Sequence, residues 1–267
     1  MSSAIYDEIG TGYTRHRRAD RGVLRALLKI LSLPEGSRLA EIGAGTGNYS
    51  RAVADEGMKV IAVEPSVVMR EQAAPHANVH FVEGVAEHLS LPDNSVDGVF
   101  SILAFHHFSE PKKALLEMTR VCPCGPIVLF TFDPRQIGNS WFTEYFPRVW
   151  DACFSFFLPI EQIQRSLQKL TDCPVRNTVF RLSSDMEDLF AGAAWNRPEL
   201  YLNEQIRAGI SSFALADPIE VQDGVLRLRA DLDSGEWDKK HGWLRHEKTF
   251  DAGYRFIHSS TYGAANV

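Results

Sequence analysis

The chain has 267 residues, a formal net charge of -6 and four cysteines; hydrophobic residues make up 45% and charged residues 23%. That balance is ordinary for a soluble globular protein. It counts against a nucleic-acid partner, which calls for a basic face, and four cysteines in this length give no disulfide framework. No apolar run reaches the roughly 20 residues of a membrane span.

The first residues, MSSAIYDEIG, carry neither the basic start nor the apolar core of a secretion signal, so a cytoplasmic location is expected. Apolar residues at 23, 24, 27, 28, 30 and 31 have helical spacing, which predicts a helix over Arg21–Leu31 closed by Pro34. Arg38–Ile42 is a short strand entering a glycine loop. Thr46–Glu56 follows as a helix ended by Gly57, and Lys59–Val63 as a second strand. Ser66 caps a helix running to about Ala74, before Pro75. Val79–Val82 is a third strand. Val96–Leu103 is a continuous apolar run, as a buried parallel strand should be. Pro111–Val121 reads as a helix and Ile127–Phe132 as a fifth strand. Strands alternating with helices imply a parallel sheet.

After Asp133-Pro134 the alternation stops. Ile137–Leu158 is dense in aromatic residues, and Ile160–Leu170 has helical spacing. Asn177–Leu182 is a candidate sixth strand. Met186 to about Leu232 reads as mainly helical with breaks at Pro198 and Pro218, and Tyr254–His258 as a last strand. The expected fold is α/β: a doubly wound, Rossmann-like, mostly parallel seven-stranded sheet with helical cap insertions. Its expected divisions are a lid and first helix (1–36), a cofactor-binding core (37–134), a cap with the sixth strand (135–253), and the last strand and tail (254–267).

The loop Glu41-Ile42-Gly43-Ala44-Gly45-Thr46-Gly47 places glycines at 43, 45 and 47, which departs from the dinucleotide fingerprint G-x-G-x-x-G. Glu41 stands two residues before the first glycine. A carboxylate there opposes a pyrophosphate and favours a ligand with positive charge. S-adenosylmethionine, with its sulfonium and ammonium, is such a ligand, and glycines let the backbone approach it closely. Glu64 ends the second strand, 21 residues after Gly43, where a carboxylate can accept hydrogen bonds from ribose hydroxyls.

With LAEIGAGTG, AVEPS and VEGVAEHLSLPDNSVDGVFSILAFHHF, the chain resembles the class I S-adenosylmethionine-dependent methyltransferases, in particular their type 11 small-molecule branch. The resemblance covers roughly residues 5–134. It implies that Glu41, Gly43, Ala44 and Gly45 border the methionine part of the cofactor and that Glu64 and Pro65 lie at the ribose. It puts Ser66 and Met69 near the adenine, Val85, Ala86 and Glu87 at the adenine edge, and Ser101 and Ala104 below the methyl donor. Val85 stands where the family often has aspartate. In related enzymes a tyrosine followed by an arginine covers the cofactor and meets its carboxylate; Tyr13 and Arg17 match that arrangement.

His106 and His107 follow the fourth strand directly and are candidate general bases for an acceptor that loses a proton. Trp141, Tyr145, Trp150 and Trp195 are candidates for an apolar acceptor pocket. No metal is expected: the cysteines follow no zinc spacing, and neighbouring histidines rarely chelate one ion. The expected activity is methyl transfer by direct displacement to a small organic acceptor, with no membrane or nucleic-acid partner. The alternatives are a non-catalytic binder of the same cofactor and an arsenic or thiol methyltransferase.

Overall fold

The computed structural model of the chain describes residues 17–136, 140–171 and 173–259. Helix α1 (Arg21–Leu31) buries Val23, Leu27 and Leu31, and Asp20 caps it by accepting from the Gly22 and Val23 amides. There follow β1 (Arg38–Ile42), α2 (Asn48–Asp55), β2 (Lys59–Val63), α3 (Val67–Glu71), β3 (Val79–Val82), β4 (Gly98–Ile102), α4 (Pro111–Val121) and β5 (Ile127–Phe132). Five helices and strands then make the insertion's first part: α5 (Trp141–Tyr145), α6 (Pro147–Phe156), α7 (Ile160–Thr171), β6 (Val175–Val179) and β7 (Leu182–Ser183). The chain continues through α8 (Glu204–Ala208), α9 (Ser211–Ala214), α10 (Pro218–Asp233), α11 (Glu236–His241), β8 (Thr249–Phe250) and β9 (Tyr254–Ser259).

The main sheet has seven strands in the order β3-β2-β1-β4-β5-β9-β6. The first five are parallel, while β9 runs antiparallel to both β5 and β6. Chain direction reverses outward from β1 and β4: the chain leaves β1 towards β2 and leaves β4 towards β5. A crevice therefore opens beyond the carboxyl ends of β1 and β4. Every residue of β4 and β5 is buried, because helices cover both faces of the sheet. Alternate residues feed two cores. Leu39, Phe100, Val128, Phe130 and Phe256 pack on the face shared with the aromatic insertion. Ala40, Val99, Ile127, Leu129 and Ile257 pack on the other, against α4 and α7.

The boundaries differ from the sequence reading where glycine or edge exposure decides them. Helix α2 starts at Asn48, not Thr46, because Gly47 takes a left-handed φ of 71° as its N-cap. Helix α3 ends at Glu71, short of Ala74. The sixth strand is Val175–Val179, an edge strand exposed at all but its first residue. Leu182 leaves that sheet and pairs with Phe250 in a two-stranded one. Between Met186 and Arg197 the chain is turns, not helix, with Met186, Asp188, Phe190 and Trp195 turned inward. No helix among the described residues is long and apolar enough to cross a membrane.

Candidate active site

The turn after β1 is tight. Gly43, Gly45 and Gly47 all have positive φ, at 75°, 57° and 71°. The Gly43 and Ala44 amides donate to the Val63 carbonyl at 2.9 and 3.1 Å, which draws the turn against the end of β2. A Cβ on Gly43 would lie 2.5 Å from the Ala104 Cβ, so the turns after β1 and β4 meet at van der Waals limits. Two buried carboxylates flank this turn. Glu64 accepts from the Gly45 amide at 2.8 Å and the Ser66 amide at 3.0 Å. Glu41 accepts from the Ser50 hydroxyl, and burial pushes its pKa up to about 8.

The turn forms one wall of a crevice that gathers most of the predicted cofactor residues: Arg17, Glu41, Gly43, Ala44, Gly45 and Glu64. Pro65, Met69, Val85, Ala86 and Glu87 line it further along. Val85 is exposed, and Glu87 is engaged by Ser109 and the Glu110 amide, which fastens this wall to the start of α4. Two predicted residues are not in the lining. Ser66 is fully buried and accepts from the Met69 amide, so it caps α3. Ser101 is fully buried too, and its hydroxyl donates to the Ile42 carbonyl at 2.8 Å, tying β4 to β1. Tyr13 lies outside the described residues.

A second, aromatic chamber adjoins the crevice on the side of the insertion. Trp141, Trp150 and Trp195 line it; Phe132 and Tyr254 extend it from the sheet and Phe157 from the end of α6. Tyr145 does not line it. Its hydroxyl donates to Asp231 at 2.7 Å, so it fixes α10 against α5. The tryptophans are held by their own polar edges: Trp141 Nε1 donates to the Trp195 carbonyl at 2.7 Å, and Trp195 Nε1 to the Ser183 carbonyl at 3.3 Å.

Arg17 and Leu103 line both cavities. Leu103 has a φ of 52°, in the left-handed region that a non-glycine residue occupies only at a cost of about 1–2 kcal/mol. The two predicted histidines part company there: His106 lines the aromatic chamber and His107 the crevice. His106 stacks on Phe157, with ring centroids 4.1 Å apart, and its Nδ1 has no hydrogen-bond partner among the described residues. Burial, then the neighbouring His107 and Arg17, hold its pKa well below 6.5. Burial and Arg17 lower His107 to about 4. Both rings are therefore neutral at pH 7 and only weakly basic.

Asp188, which the sequence reading did not single out, faces the crevice beside Arg17. Arg17 Nε donates to it at 2.5 Å, Nη2 at 3.3 Å, and the Tyr49 hydroxyl at 3.3 Å. It comes from the non-helical 184–197 turns, where the sequence carries no motif. Among the described residues, no group of three or more His, Cys, Asp or Glu is placed to hold a metal ion. Cys122, Cys153 and Cys173 are buried and Cys124 is exposed, and among the described residues no disulfide joins any of them.

A family model described as a methyltransferase domain matches residues 40–130, the strands and turns that build the crevice. A crystal structure of a putative methyltransferase from an antibiotic biosynthesis pathway of Anabaena variabilis shares 49% identity; it superimposes with a TM-score of 0.90 over 92% of this chain and 100% of that one. The chain belongs to the class I S-adenosylmethionine-dependent methyltransferases. Among curated relatives, a demethylmenaquinone methyltransferase of Renibacterium salmoninarum is 32% identical over 55% of this chain and 61% of its own. A malonyl-[acyl-carrier protein] O-methyltransferase of Serratia marcescens is 29% identical over 61% of this chain and 64% of its own. The chain thus spans about 60% of the length of the curated relatives it matches.

The methyltransferase cofactor suits this crevice on chemical grounds. Glycine backbone leaves room for close approach, Glu64 is already fixed by two amides, and Glu41 is a buried acid waiting for a cation. In this methyltransferase, Gly43→Ala combines a strained φ with a methyl group 2.5 Å from Ala104. Its stability should fall by about 1–3 kcal/mol in urea unfolding. Gly43→Ala combined with Ala104→Gly should recover the steric part only; full recovery would show that the φ carries no cost.

Proposed function

We propose that the chain transfers the methyl group of S-adenosylmethionine by direct displacement to a small organic acceptor held in the aromatic chamber. The observation that carries this reading is the junction of the two cavities at Arg17 and Leu103. A donor in the crevice and an acceptor in the chamber face each other there, and alignment of this kind can represent effective molarities of roughly 10^5–10^8 M.

In this reading S-adenosylmethionine supplies a methyl group already activated by a positively charged sulfur. The chain's own residues bind and orient. Glu64 holds the ribose hydroxyls, Met69 packs at the adenine, and Ala86 and Glu87 border its edge. Glu41 and the glycine turn sit at the methionine part, and Arg17 meets its carboxylate. His107 is a wall of the cofactor crevice. His106 faces the acceptor as a neutral imidazole, which can take a proton from an acidic group but not draw one from a weak acid. The helices and turns of 140–253 act as the acceptor cap, and the protein works without a metal, a membrane or a nucleic acid, in the cytoplasm.

Calorimetry with S-adenosylhomocysteine tests the cofactor half. Glu64→Ala should weaken binding by about 1.5–3 kcal/mol, the loss of charge-assisted hydrogen bonds; equal affinity would remove Glu64 from the site.

Glu41 adds a pH signature. Its pKa in the folded chain is raised from 4.5 to about 8, so its stabilising contribution is complete below 4.5 and disappears as pH rises through 8. Ligand-free Tm should fall over that window, and Glu41→Gln should flatten the fall. A positive group beside Glu41 favours its ionised form, so binding of S-adenosylhomocysteine, which carries an ammonium group but no sulfonium, should release up to about one proton near pH 7, measured in buffers of different ionisation enthalpy. Release that persists in Glu41→Gln would assign the proton elsewhere.

Asp188 is expected to orient Arg17 towards the amino-acid end. Asp188→Asn should weaken S-adenosylhomocysteine about tenfold but change 5′-methylthioadenosine, which lacks that end, less than twofold. Equal losses for both ligands would make Asp188 a purely structural residue.

A further inference from the structure

The aromatic chamber carries almost no charge. Among the described residues, no aspartate, glutamate or lysine lines it. Arg17 brings a guanidinium to its wall, and Asp188 pairs with that group at 2.5 Å. His106, stacked on Phe157, is uncharged. Burial pushes the Cys153 thiol up to about 11 and the Tyr201 hydroxyl up to about 12, so neither is an anion near neutral pH. Trp141, Trp150 and Trp195, with their large planar side chains, line the chamber.

The wall discriminates between nucleophiles. A protonated amine would shed its hydration and find no carboxylate. Given the cofactor reading above, it would also approach a sulfonium of like charge across Leu103. An acidic hydroxyl behaves differently. Its anion is drawn towards the sulfonium, and the two opposite charges cancel as the new bond forms. Surroundings of low polarity favour a transition state that carries less charge than its reactants. The acidity has to be the acceptor's own, because His106 is too weak a base to activate an aliphatic alcohol.

We infer that the acceptor is a planar phenol or enol that reacts through its hydroxyl oxygen as the anion, and that cationic amines are excluded. The hydroxyl O–H bond breaks and its proton passes by His106 to solvent. The oxygen's electron pair forms the bond to the methyl carbon, and the carbon–sulfur bond breaks with its pair remaining on sulfur. Burial in this chamber lifts the Tyr201 hydroxyl from 10 to about 12, so the acceptor has to be more acidic than an ordinary phenol, whose pKa is about 10.

The test uses the full chain saturated with S-adenosylhomocysteine at pH 7.5, titrated by calorimetry with 2-naphthol, 2-naphthylmethylamine and the saturated alcohol 2-decalol. The expected result is 2-naphthol binding at least tenfold more tightly than either of the others. In Trp150→Ala its affinity should drop at least fivefold while S-adenosylhomocysteine binds as before. Amine binding equal to or tighter than naphthol overturns the inference. So does an absence of naphthol binding at 1 mM, or naphthol binding that Trp150→Ala leaves unchanged. Failure of the wild type to bind S-adenosylhomocysteine would overturn the cofactor reading instead, which keeps the two separable.

Discussion

The contact between Gly43 and Ala104 is the constraint on which the site depends. β1 and β4 are neighbours in the sheet, and the chain leaves them in opposite directions. Their two following turns face each other across the crevice. They can close to this distance because one of them lacks a Cβ. The approach fixes Ala104, and the residue before it, Leu103, is carried into a left-handed conformation at the boundary of both cavities. Its amide is held by the Phe130 carbonyl at 2.9 Å, so the sheet itself supports the strained residue. Strain of this kind persists where surrounding structure over-determines it, and here it coincides with the junction of crevice and chamber.

Charge separates the two spaces as sharply as shape does. The crevice has Glu41, Glu64, Glu87 and Asp188 against Arg17 and Arg18. The chamber has Arg17 alone among charged side chains of the described residues. The crevice thus sets four carboxyl groups against two guanidiniums, and at pH 7 Glu41 is largely protonated, so a positive charge brought near it would restore its ionised form. The raised pKa of Glu41 expresses the same arrangement. Burial outweighs the hydrogen bonds from Ser50, so Glu41 ionises unfavourably, a state that a nearby positive charge would relieve.

The core was legible in the sequence because its signals are local. Continuous apolar runs mark β4 and β5, and the positions of Gly43, Gly45, Glu41 and Glu64 relative to the strands mark the crevice. Ser66 and Ser101 were misplaced for a physical reason: a buried hydroxyl beside a ligand site and one that ties a cap or two strands together look alike in one dimension. The tryptophans of the chamber could be proposed from their density alone. Tyr145 could not be told from them, because only the packing of α10 turns its hydroxyl towards Asp231. Asp188 was invisible, since its partners Arg17 and Tyr49 lie 171 and 139 residues away and the surrounding turns have no periodicity.

Those long-range partners give the insertion its coupling to the core. Asp20 joins α1 to the insertion by accepting from the Glu187 amide at 3.0 Å, while its own amide donates to the Tyr49 hydroxyl at 3.2 Å. Asn48, at the start of α2, donates to the Arg17 carbonyl at 3.0 Å. Arg17 also donates to the Gly209 carbonyl at 3.3 Å. Residues 17–20 are thus fastened both to the helix that follows the glycine turn and to the segments that roof the chamber. Arg17 and Asp188 are both largely buried, so losing the Asp188 carboxylate would take an ion-pair partner from a guanidinium with little solvent around it. Arg17 thus belongs at once to this network and to the walls of both cavities, so the ion pair that fixes it also fixes part of each wall.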